Sequence, residues 1–86
     1  MTVRAFVLIE TQLGNPGNVA KEIRAIPGVV TADDVTGPYD IIAQTEADSV
    51  DELGRMVIGK LQLVSGIRKT LTCPILVLDQ PTRPSG

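Results

Sequence analysis

"AIPGVV", residues 25–30, and "LVSGIR", residues 63–68, have the same shape: an apolar residue, a glycine stop and immediate entry into an extended segment. Each closes a stretch with helical period. Before the first, "NPGNVAKEIRAIPG" offers Asn15 as a cap, Pro16 at the first helical position, and Val19, Ile23 and Ile26 along one face. Before the second, "SVDE" is a capping box, with Ser49 as N-cap and Glu52 reaching back. Val50, Leu53, Val57, Leu61 and Val64 follow as a stripe. The two stops therefore end two helices and begin two strands.

Working outward supplies the remaining strands. "VRAFVLIET", Val3 to Thr11, is β-branched and apolar and ends at the turn residues of "QLGNPG". "VVTADDV", Val29 to Val35, is the second strand, with Asp33 and Asp34 marking an exposed end or an edge. "YDIIAQTEA" is the third and "IRKTLTCPILVLD" the fourth. The order β-α-β-β-α-β, with its internal echo, predicts an α+β ferredoxin-like plait: a four-stranded antiparallel sheet with two helices on one face. One domain over residues 1–79 and a flexible tail over 80–86 are expected.

Two helices cover one side of such a sheet, yet the first and last strands are apolar on both. Ala5, Val7 and Ile9 oppose Phe6 and Leu8, and Leu76 and Leu78 oppose Ile75 and Val77. A second face this apolar calls for a partner, most simply an identical chain related by a two-fold axis, and a homodimer is expected.

Composition narrows the function. The chain has 86 residues, enough for one compact domain, and a net charge of -2 from interspersed acids and bases, which provides no basic field for nucleic acid. Histidine is absent, and with it the commonest general base and transition-metal ligand. Cys73 is the single cysteine, so neither an internal disulfide nor a multi-cysteine metal site fits, and it is expected as a small core or interface residue. No segment has the length of a signal core or a membrane span, and a cytoplasmic protein without a cofactor or membrane partner is expected.

Two short motifs bear chemistry. In "TGPYD", residues 36–40, glycine and proline read first as a turn between the second and third strands. The same residues describe a pocket for a zwitterion: open backbone N–H groups for a carboxylate, Asp40 for an ammonium, and Tyr39 as a wall with a polar tip. In "KTLTC", Thr70 and Thr72 alternate onto one face of the last strand, as ordinary strand residues or as two hydroxyls for a carboxylate or amide. The acids of "ADD", residues 32–34, fit a solvated strand end better than a cation site. Arg68 and Lys69 lack the aromatic neighbours on which RNA bases stack.

Taken together, "AFVLIET", "IPGV", "VTGPYD", "VDELGRMV" and "GIRKTLTCPIL" resemble the effector-binding RAM module of the leucine-responsive (Lrp/AsnC) transcription regulators, over about Val3 to Leu78. The resemblance implies dimerisation through the sheets, assembly of dimers into rings, and binding of small effectors, typically amino acids, between dimers near the turn after the second strand. Carried onto this chain, it makes Gly37, Tyr39 and Asp40 the ligand-binding residues, with Thr70 and Thr72 beside them. Regulators of that family carry an N-terminal helix-turn-helix domain. This chain resembles the form without it, expected to bind an effector alone or to co-assemble with a full-length relative. The alternatives are an adaptor that binds a protein rather than a metabolite, and an enzyme of the dimeric ferredoxin-like barrel type, against which the lack of histidine weighs.

Overall fold

A computed structural model describes residues 2–12 and 16–76. Strand β1 spans Val3–Thr11, helix α1 Pro16–Arg24, β2 Val29–Asp34, β3 Ile41–Ala47 and β4 Ile67–Pro74, with a second helix, α2, over residues 50–61. The strands lie in the order β2-β3-β1-β4, every neighbouring pair antiparallel. This is the ferredoxin-like α+β plait expected from the repeated strand-helix unit. The expected Asn15 cap, residues Val77 and Leu78, and the tail 80–86 lie outside the described residues.

The two glycine stops explain how the halves lock together. Gly28 has φ +100°, and a Cβ there would collide with Cγ2 of Val57 on α2; Gly66 has φ +95°, and its Cβ would lie 2.9 Å from Cγ2 of Val19 on α1. Each glycine thus ends one helix and admits the other helix against its backbone. The carbonyls repeat the relation, since Gly28 accepts from the Glu46 N–H and Gly66 from the Gln12 N–H, both at 2.8 Å. The echo in the sequence is an echo in packing.

Between helices and sheet lies the core. Ala5, Val7 and Ile9 of β1, Ala32 of β2, and Ile41 and Ala43 of β3 meet Val19, Ala20 and Ile23 of α1 and Leu53, Val57 and Leu61 of α2, all buried. Thr45 is buried among them, and its hydroxyl donates to the Ala5 carbonyl at 3.0 Å, which satisfies the polar group. No helix among the described residues lies over the other face of the sheet. Register places Phe6, Leu8, Ile42, Leu71 and Cys73 there together, with Leu71 45% exposed and Cys73 open.

Several boundaries depart from expectation. The third strand begins at Ile41 and not at Tyr39, because Asp40 turns its N–H and its side chain toward β1. The fourth ends at Pro74, which has no N–H to continue a ladder, although the Ile75 N–H still reaches the Arg4 carbonyl at 2.9 Å. Ile26 lies past the end of α1, in the turn that carries the chain to Gly28.

The second helix differs in its winding. Ser49 caps it as expected, its hydroxyl accepting from the Glu52 N–H at 3.1 Å, but no return bond from the Glu52 side chain occurs among the described residues. Val50, placed on the apolar stripe by its spacing, is 72% exposed in this first turn. Short α-helical ends, Val50–Glu52 and Gly59–Leu61, flank a π-helical stretch, Leu53–Ile58. On an α-helix, residues four apart drift by about 40° per step. The wider π winding reduces that drift and keeps Leu53, Val57 and Leu61 in one buried line.

Candidate functional site

The connection from β2 to β3 crosses the end of the sheet at which β1 finishes. Its closing bond runs from the Val35 N–H to the Asp40 carbonyl at 2.9 Å, and the Asp40 N–H donates to the Ile9 carbonyl at 2.9 Å. Between these anchors Gly37 takes φ +141°, with open space where a Cβ would point. Pro38 has no donor. The N–H groups of Thr36, Gly37 and Tyr39 make no hydrogen bond among the described residues. Asp34, Val35 and Thr36 line a shallow open depression beside them.

Asp40 is more constrained than an open ligand group. Its Oδ2 accepts from the Thr11 N–H at 2.8 Å and from the Thr11 hydroxyl at 3.1 Å. One carboxylate oxygen and the Asp40 N–H are therefore engaged with β1, and Oδ1 accepts no hydrogen bond among the described residues. Tyr39 is half-buried next to it. An anion has three open N–H donors here, and a cation has one carboxylate oxygen.

The threonines of β4 lie across β1 from this turn. Thr70 pairs with Ile9 and Thr72 with Val7, so both sit on the helix-covered side of the sheet, half-buried, on an edge strand. Thr70 shares the end of the sheet with Asp40, because Ile9 is flanked by Ile41 on one side and Thr70 on the other. Thr72 is two residues farther from it. No hydrogen bond joins either hydroxyl to the turn among the described residues. The residue that does reach the turn, Thr11, carries no signal in sequence beyond ending a strand.

Other surfaces offer less chemistry. A cleft at the opposite end of the sheet is lined by Thr2, Gly28, Glu46, Asp48, Glu52 and Arg55. Its guanidinium is committed to Asp51 at 2.8 Å, which leaves acids on open surface. Among the described residues no group of three or more histidine, cysteine or acidic side chains is placed to hold a metal ion. Among the described residues no helix is long and apolar enough to cross a membrane.

The chain is a ferredoxin-like plait whose sheet carries helices on one face among the described residues. The model of the Lrp/AsnC ligand-binding domain matches residues 4–82, and the chain belongs to that family. An uncharacterized HTH-type transcriptional regulator of Pyrococcus horikoshii is 39% identical over 54 residues, 63% of this chain and 36% of that protein. The chain thus matches about a third of the length of such relatives. A homocitrate synthase of Sulfurisphaera tokodaii is 34% identical over 58 residues, 67% of this chain and 12% of that protein. Among solved structures, a hypothetical protein from P. horikoshii superposes with a TM-score of 0.80 at 30% identity, over 90% of this chain and 93% of that one.

Proposed function

We propose that this chain is a non-enzymatic regulatory module that binds a free amino acid at the β2–β3 turn. The observation that carries the reading is the pairing of opposite functions within five residues: open N–H groups at Thr36, Gly37 and Tyr39, and a carboxylate at Asp40 fixed by Thr11. A zwitterion has the complementary charges. Tyr39 supplies the apolar wall, with Gly37, Thr70 and less directly Thr72 completing the lining. Membership of a ligand-binding domain family supports an effector, and the regulator relatives support transcription as its setting.

The depression at the turn is too shallow to enclose a ligand alone, so a second copy of the chain closes it. In this reading two chains pair through their open sheet faces, dimers assemble into a ring, and the amino acid lies between dimers. A full-length, DNA-binding relative is the partner this reading offers for a transcriptional output.

Titration calorimetry against the twenty amino acids tests the site, with Tyr39→Ala as the comparison. Tyr39 precedes β3 and makes no side-chain hydrogen bond among the described residues, so its loss breaks no bond that anchors the turn. Asp40→Ala is a poorer choice, because it also removes a structural bond to β1. The expected result is heat with a small set of amino acids, weakened at least about tenfold in Tyr39→Ala. Equal affinity in both proteins would move the site elsewhere.

A further inference from the structure

We infer that Thr11 is a positioning residue of the effector site, holding Asp40 so that one oxygen faces the effector's ammonium; this rests on the amino-acid reading given above. The ladder between β1 and β3 ends at Ile9 and Ile41. Past that point Asp40 takes over the pairing. Its N–H goes to the Ile9 carbonyl, and its side-chain Oδ2 accepts the Thr11 N–H, as the next carbonyl of a strand would.

The register on the other side of β1 makes this arrangement available. β1 runs against β4 through Glu10 and Lys69, and the pairing then shifts, so that Thr11 lies opposite Ile67. A shift of this kind re-aims the groups at a strand end. Here Thr11 points both of its donors at one oxygen of Asp40, at 2.8 and 3.1 Å. The following residue, Gln12, binds the Gly66 carbonyl, so this strand end is tied on one side to the β2–β3 turn and on the other to the turn that opens β4.

Two donors on one oxygen do more than stabilise a turn. A carboxylate with both oxygens free samples many orientations, and ordering it on binding would weaken the complex. With Oδ2 held, the carboxylate plane is fixed before the effector arrives, and Oδ1 is the oxygen left to accept a bond from an ammonium. Hydrogen bonds to ionised groups are the strong ones, so discrimination between an amine and its uncharged derivative falls mainly on this atom.

The experiment is titration calorimetry on the full chain, with each of the twenty amino acids beside its N-acetyl derivative, in wild type, Thr11→Val and Thr11→Ser. Wild type is expected to prefer the free amine. Thr11→Val keeps shape and the backbone donor but loses the hydroxyl, and is expected to reduce that preference by about tenfold. Thr11→Ser is expected to restore it. A hydroxyl with only a structural role would lower the melting temperature and leave the preference unchanged, and that result would overturn the inference while the effector reading stands. A narrowed preference that serine fails to restore would also overturn it. Wild type binding no amino acid, or binding the acetylated form equally well, would overturn the effector reading and this inference with it. Thr11→Ala makes the same comparison if the valine protein does not fold.

Discussion

At the scale of single residues, the glycines separate folding from function. Gly28 and Gly37 both have positive φ, yet a Cβ at Gly28 collides with Val57 while one at Gly37 meets open space. Left-handed backbone costs a non-glycine residue about 1–2 kcal/mol, and forced overpacking adds about 1–3 kcal/mol. Gly37→Ala is therefore expected to lose about 1–2 kcal/mol and Gly28→Ala about 2–5 kcal/mol, read from denaturant midpoints at constant slope. Equal losses would show that Gly28 does not carry the close approach of α2. The open space at Gly37 sets that residue outside the core and leaves room for the proposed ligand.

Elements were legible in sequence to different depths. The strand-helix repeat, with its glycine stops at 28 and 66, announced the order of elements, and Val3–Thr11 is the observed first strand to the residue. The candidate site was legible only as a turn: "TGPYD" marked a candidate position, but that Asp40 spends one oxygen on Thr11 depends on a contact 29 residues apart, which no local pattern encodes. The π stretch of α2 escaped for a related reason. Leu53, Val57 and Leu61 are spaced as an α-helical stripe allows, and nothing in that spacing distinguishes the wider winding. Gly54 lies in that stretch with nothing within reach of a Cβ. Replacing it with alanine removes the entropic cost of a helical glycine, so Gly54→Ala is expected to stabilise the protein by about 0.5–1 kcal/mol. A loss of stability in thermal melts would mean that the glycine is needed for the π winding.

On the scale of the whole molecule, the proposed assembly rests on the open face of the sheet. Phe6, Leu8, Ile42, Leu71 and Cys73 form an apolar surface without helix cover, and Leu71 is exposed enough to be charged without disturbing the core. Leu71→Lys is expected to shift sedimenting species from dimer or larger toward monomer while circular dichroism stays unchanged. An unchanged sedimentation profile would place the interface elsewhere. In the proposed function assembly and binding are linked, because an amino acid touching two dimers would favour the associated state. The most direct test of the central claim is calorimetric unfolding of wild type with each of the twenty amino acids, since one tyrosine and no tryptophan make fluorescence a poor reporter. A ligand at 100 times its Kd adds about 2.7 kcal/mol, which for a domain of this size raises Tm by about 10 °C or more. A rise of that order with one or a few amino acids, growing with concentration, is the predicted result; an unmoved Tm with all twenty, in a protein still dimeric, would contradict it.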